Sequence, residues 1–332
     1  MDSENFAAVL ESFPHQFREV AHLGKNVHAS FNEHVAICGM GGSGLPGEIA
    51  KRLVKKLPVL LVKDYVLPSY VTGTVFIISY SGNTEETLEL YEQAKKRGLN
   101  TIVITSGGEL EKRAVKDNQT LINVPVPHAG PSGFQPRMAV AYQTVPLLNV
   151  LATAGIVDAF DWNACAAFLE EQKETIKTNA REIAKSIGTS IPIIYSSEQF
   201  YAAAFKWKVN LNENAKMHAF CHAFPEWNHH EINAQHDNRF TVIMLRDKDD
   251  PIRVGQRMML IQAILLNKGV SASIIDSVGS SRIERVFWSM YLGDWVSYYT
   301  AIDRGVDPTP ITMVEELKKQ LKPHLSSSVK YK

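Results

Sequence analysis

The stretch HVAICGMGGSGLPGEIAKRLVKKL, residues 34–57, decides the fold, and TVFIISYSGNTEETLELYEQAKKRG, residues 74–98, repeats its design. Each starts as a short apolar run, crosses a turn of small and hydroxyl residues, and continues as an amphipathic helix. Gly98 closes the second helix. A strand that feeds a helix through a tight turn is the repeating unit of a parallel sheet. VLLVKDY (59–65) reads as a strand between the two stretches, and TIVITS (101–106), helical ELEKRAVKD (109–117) and LINVPV (121–126) extend the pattern.

Further along, AVAYQTVPLLNVLATAG (139–155) and DWNACAAFLEEQKETIKTNAREIAKSIG (161–188) are helical with no strand between them, the pattern of a hinge or linker. Alternation resumes with IPIIYSS (191–197), a helix through about Asn214, then RFTVIMLRD (239–247), helical 251–269 and SASIIDSVG (271–279). A long amphipathic helix over 282–305 and a charged tail helix from near Ile311 complete the chain. The expectation is an α/β protein of two doubly wound units, residues 1–153 and 154–332, each a mainly parallel sheet flanked by helices.

The chain's 332 residues are enough for two such cores. Lys+Arg and Asp+Glu balance at 35 each, so no global field favours nucleic acid or an anionic membrane. An anionic substrate must therefore be held by local groups. No apolar run approaches the ~20 residues of a membrane span. MDSENFAAVLESF carries acids at positions 2 and 4 and no apolar signal core, which predicts a cytoplasmic protein. Cys38, Cys165 and Cys221 are odd in number and far apart, the pattern of reduced thiols.

Gly41-Gly42-Ser43-Gly44 and Ser79-Tyr80-Ser81-Gly82-Asn83-Thr84 both follow a strand and open a helix. A helix N-terminus offers unpaired N–H groups and partial positive charge, a seat for phosphate, and glycine permits close backbone approach. Neither loop carries Lys or Arg, so neither is a Walker-type nucleotide loop, and GMGGSG does not fit GxGxxG. A capping box is expected from Thr84 to Thr87. Two such loops at the ends of parallel strands predict a shared crevice.

GGSG followed by SYSGNTEET closely resembles the SIS (sugar isomerase) domain, a doubly wound fold that binds phosphosugars through Ser/Thr-rich loops. The resemblance implies that Gly42, Ser43, Ser79, Ser81 and Thr84 hold a 6-phosphate.

Residues 210–236, NLNENAKMHAFCHAFPEWNHHEINAQH, are the densest polar segment, with three carboxylates and five of the eleven histidines. Aldose–ketose isomerisation needs one base to move a proton between neighbouring carbons, and an acid/base pair to open the sugar ring. Glu213, between two asparagines, fits the base and His229 the ring opener, with Glu226 and His230 as neighbours able to take those roles. His218 and His222 stand i,i+4 on an expected helix, but HExxH is absent and no third metal ligand is fixed by spacing.

NENAK (212–216) and PEWNHHEI (225–232) look like the motifs of the bifunctional phosphoglucose/phosphomannose isomerase family, with His230 at the position that varies. This resemblance implies Glu213 as the proton-shuttling base and His229 as the ring-opening residue, reaching in from the neighbouring subunit of a homodimer. Gln135-Pro136-Arg137 resembles the family's PR element, whose arginine sits over the active site. DPTPI (307–311) followed by Leu317-Lys318 resembles its closing DPTPV…LK. These imply enediolate stabilisation by Arg137, ring opening aided by Lys318 (or Lys319), and accommodation of both C2 epimers by Thr309 (or Thr312). Implied overall is a sugar-phosphate isomerase working without metal or cofactor, with no nucleic-acid or membrane partner. A single-substrate or amino-sugar-phosphate isomerase and a non-catalytic phosphosugar-binding SIS protein are the alternatives. The residues before His34 are too few for a helix-turn-helix regulator.

Overall fold

The computed structural model describes residues 2–127, 134–234 and 237–321. Two short helices open the chain, α1 (Phe6–Glu11) and α2 (Phe13–Val20). The first sheet holds β1 (Val35–Cys38), β2 (Val59–Val62), β3 (Thr74–Ile78), β4 (Asn100–Thr105) and β5 (Thr120–Asn123). All its pairings are parallel, in the order β2-β1-β3-β4-β5. Its helices are α3 (Leu45–Leu53), α4 (Glu85–Lys96) and α5 (Gly108–Lys116). β1 and β3 are buried along their whole length, as strands covered on both faces must be.

α6 (Val140–Thr153) is buried from Val140 through Leu151, and an all-round apolar helix belongs inside a core. α7 (Trp162–Ile187) starts on Asp161, whose carboxylate accepts from Ala164 N–H at 2.9 Å, and packs against α2. The stretch expected to link two units thus consists of two well-packed helices.

The second sheet comprises β6 (Ile191–Ser197), β7 (Phe220–Phe224), β8 (Phe240–Arg246) and β9 (Ser271–Asp276), again all parallel, ordered β7-β6-β8-β9. α8 (Tyr201–Glu213), α9 (Ile252–Asn267) and α10 (Arg282–Asp303) accompany it, and α11 (Thr312–Leu321) follows as an exposed helix. α10 begins with a full capping box of Ser281 and Glu284 and packs on α7 and α8. Phe13, Phe17, Phe287 and Tyr291 interlock where the first helices meet α10. The fold expectation of two mainly parallel sheets with helices stands.

β7 is a difference from the sequence expectation. His222 lies on this strand, paired opposite Tyr195, and His218 precedes it, so the two histidines do not share a helical face. Among the described residues no helix is long and apolar enough to cross a membrane.

Candidate active site

Both hydroxyl-rich loops lie at the carboxyl ends of β1 and β3, adjacent strands from which the chain leaves in opposite directions across the sheet. They are tied to each other. Tyr80 N–H donates to Ser43 Oγ at 3.0 Å, and Gln143 of α6 donates to the same oxygen at 3.0 Å. The Ser43 hydroxyl proton is left to donate elsewhere. Ser79 Oγ donates to Thr84 Oγ1 at 3.1 Å, and Ser81 Oγ accepts from Asn83 N–H at 3.3 Å.

The expected capping box does not form, for the Thr84 side chain makes no cap hydrogen bond and Thr87 Oγ1 is buried without a partner among the described residues. Thr84 turns instead to Ser79, so no Thr84 hydroxyl occupies the first N–H groups of α4. Gly82 has φ 64°, and a Cβ there would meet the Gly107 carbonyl at 1.8 Å. Only glycine fits that turn.

Arg137 sits in a 3₁₀ turn, Pro136–Met138, pressed against the first loop. A Cβ on Gly42 would come within 2.9 Å of the Arg137 Cα. The guanidinium is buried, the residue being 2% exposed. Its Nε donates to Asn214 Oδ1 at 2.6 Å, and Nη1 to Gln135 Oε1 at 3.2 Å. Nη2 donates to the carbonyls of Pro308 and Thr309 at 2.8 and 3.0 Å. The Phe6 ring lies 5.6 Å from its Cζ. Burial pulls the guanidinium below its ordinary value while Glu213 and Asp294 push it back up. An arginine so surrounded stays charged.

Glu213, the last residue of α8, places Oε2 3.4 Å from Arg137 Nη1 with its side chain about a third exposed. It is a partly exposed carboxylate with the buried Arg137 guanidinium beside it. The end of α8 is anchored below. Lys206 and Asp294 form a fully buried ion pair at 2.6 Å, and Lys206 also donates to the Arg137 carbonyl and to Asn210 Oδ1. Asn210 donates to Asp294 in turn. Burial pushes the Asp294 carboxyl up, and Lys206 and Asn210 oppose that shift. Gly293 lets α8 and α10 meet this closely, because a Cβ there would lie 2.3 Å from the Trp207 ring. Asn214 donates to Ser297 at 2.9 Å, completing the support.

Thr309 is buried, and its hydroxyl has no partner among the described residues. His229, at the end of a 3₁₀ turn Glu226–His229, is exposed. Lys318 and Lys319 lie on the exposed α11, and Thr312 begins it. Among the described residues none of His229, Lys318 and Lys319 bonds to Glu213 or Arg137. His236, counted in the polar segment, lies outside the described residues. His222 Nδ1 stands 3.5 Å from Glu231 Oε1, and His230 Nε2 3.7 Å from Glu226 Oε1. Among the described residues no group of three His, Cys, Asp or Glu side chains is arranged to hold a metal.

The structure brings Gly42, Ser43, Arg137, Glu213 and Thr309 close together. Lys216 Nζ lies 3.4 Å from the Pro308 carbonyl that Arg137 also holds. Lys206, Asp294 and Lys216 stand beside these residues, and the sequence reading did not single them out. A signal existed for two of them. Lys206 in YAAAFKWKVN and Asp294 in MYLGDWVSYY stand inside largely apolar helical runs, where charges bury together or not at all.

Residues 31–145 match the SIS domain profile, and residues 176–321 match the bacterial phospho-glucose isomerase C-terminal SIS domain. The fold is similar to a hypothetical protein from Thermus thermophilus, with TM-score 0.73 and 16% identity over 96% of this chain and 90% of that one. A bifunctional phosphoglucose/phosphomannose isomerase from Thermoplasma volcanium is 37% identical over 87% of this chain and 91% of its own length. Another of that name, from Aquifex aeolicus, is 35% identical over 97% of this chain and 99% of its own. Likeness at that level across nearly the whole length of both proteins means that the chain belongs to the bifunctional phosphoglucose/phosphomannose isomerase family.

Proposed function

We propose that the protein interconverts glucose 6-phosphate and mannose 6-phosphate with fructose 6-phosphate through an enediolate. The observation that carries this reading is contiguity: the Gly42–Ser43 loop touches Arg137, and Arg137 stands 3.4 Å from Glu213. A sugar whose phosphate occupies Ser43, Ser79, Ser81, Thr84 and the N-terminus of α4 would extend its other end toward that carboxylate.

Glu213 removes the proton from C2 of the open-chain aldose and returns it to C1, while a proton passes between O1 and O2. The charge left on the enediolate is balanced by Arg137, whose guanidinium is fixed in advance by four hydrogen bonds. The two aldoses differ only at C2, so one carboxylate serves both if rotation about the C2–C3 single bond presents either face of the planar enediolate to it. Thr309, whose hydroxyl has no partner among the described residues, would meet the epimeric end.

Ring opening falls to His229, supplied by a second copy of the chain and assisted by Lys318. A cytoplasmic homodimer and a division into units 1–153 and 154–332 belong to the same reading. Its test is a coupled assay of fructose 6-phosphate formation from each aldose. Turnover of neither aldose would end it.

A further inference from the structure

Lys216 follows the end of α8, and its backbone is left-handed, with φ 53°. A residue with a Cβ takes that conformation only against a steric penalty. The residue is exposed, and its side chain reaches back to the end of α8. Nζ donates to the Glu213 carbonyl and lies 3.4 Å from the Pro308 carbonyl. The same Pro308 oxygen accepts from Arg137 Nη2 at 2.8 Å. Two cations therefore grip one carbonyl, and the backbone of the proposed base is tied to the turn that holds Arg137 and Thr309.

The charged groups around Lys216 come from three elements: Arg137 from its 3₁₀ turn, Glu213 from α8, and Asp307 from the turn after α10. Arg304, at the end of α10, donates to the neighbouring Ala215 carbonyl at 3.2 Å. Asp307 is occupied by Ser3 and by the Thr309 N–H.

We infer that Lys216 is a positioning residue for the isomerisation: its ammonium clamps the Glu213 end of α8 to the Pro308–Thr309 turn and sets a second positive charge beside the base. The inference rests on Glu213 being that base. Burial first, and Arg137 second, bring the ammonium down to about 8, with Asp307 and Glu213 opposing. The clamp is therefore charged below that pH and weakens above it. A neutral amine still donates, but without the charge that strengthens such bonds.

The test compares pH profiles of the full-length wild type, Lys216→Arg and Lys216→Met, with acylation of Lys216 followed by peptide mass spectrometry as a readout independent of turnover. In the wild type, kcat should fall as pH rises through about 8, and acylation of Lys216 should rise over the same interval. Lys216→Arg, charged at every working pH, should lose that fall and keep most of the neutral-pH rate. Lys216→Met should lower kcat about 10- to 100-fold at neutral pH, the scale of one charge-assisted hydrogen bond, with KM for the sugar phosphate nearly unchanged. A high-pH fall retained in both variants would overturn the inference. So would a Lys216→Met loss matched by the loss of folded protein. Wild-type turnover with Lys216 acylating like a surface lysine would defeat the inference alone, and no turnover at all would defeat the proposed function with it.

Discussion

Arg137 Nη1 lies 3.4 Å from Glu213 Oε2, joining a turn that precedes α6 to the last residue of α8. Neither side chain holds the other in place unaided. Arg137 is fixed by Asn214, Gln135 and two carbonyls of the Asp307–Thr309 turn, and Glu213 is fixed by the helix it ends. The two supports are joined below the ion pair, since Asn214 at the end of α8 holds Arg137 Nε and Lys206 of α8 donates to the Arg137 carbonyl. The geometry of the pair therefore responds to changes well below it.

The first prediction follows from that. Asp294→Ala removes one partner of a fully buried pair and leaves Lys206 in the core without its carboxylate. Breaking such a pair costs about 3–5 kcal/mol, read as a lower midpoint in denaturant unfolding. Lys206 also donates to the Arg137 carbonyl, so kcat should fall beyond what the lost folded protein accounts for. An unfolding midpoint unchanged from wild type would show that the pair supports nothing.

The sheets were legible because strands buried on both faces read as apolar runs, as VAIC and TVFII do. β7 was not, since FCHAF mixes histidine and cysteine and, at the sheet edge, leaves its first three residues at least partly exposed. The polar density around it signalled chemistry and masked a strand. Gly42 and Arg137 were legible as motif residues, but their contact was not, because it depends on the packing of one loop on another. The Thr84 cap failed for a similar reason: Ser79, five residues earlier, competes for its hydroxyl. Lys216 stood in the NENAK motif as an ordinary exposed lysine, and only the structure shows its ammonium reaching the Glu213 and Pro308 carbonyls.

Phosphate recognition is tested at Ser81. Its hydroxyl accepts from Asn83 N–H and keeps its proton for a ligand. Ser81→Ala should raise KM for the sugar phosphate roughly ten- to a hundredfold with kcat little changed, the effect of one charge-assisted hydrogen bond. A KM equal to wild type would put the phosphate elsewhere.

Chelation gives a third expectation. Arg137 already brings a fixed positive charge to the base, so the proposed reaction calls for no cation. Activity should survive dialysis against EDTA in full. Activity lost on dialysis and regained with Zn²⁺ would bring His222, His230 and their carboxylate neighbours into the chemistry.

The last prediction separates the base from the ring opener and asks where the latter comes from. Glu213→Gln keeps size and hydrogen bonding but cannot take a proton, so it should abolish turnover of both aldoses. His229→Ala should slow turnover of the ring form by about 10²–10⁴-fold, the usual contribution of a general acid–base group, and spare proton exchange on an open-chain analogue. His229 is exposed and makes no bond to Glu213 among the described residues, which is the arrangement expected if it serves a second copy. Mixing the two inactive variants under conditions of subunit exchange then becomes decisive. Half the dimers formed would be mixed, and each would pair an intact Glu213 with an intact His229 at one of its two sites. Roughly a quarter of wild-type activity should return, as two-fold symmetry requires. If the mixture stays as inactive as its parts while exchange is verified by mass, both residues act within one chain, and the crevice must close over His229 by a movement of its own turn.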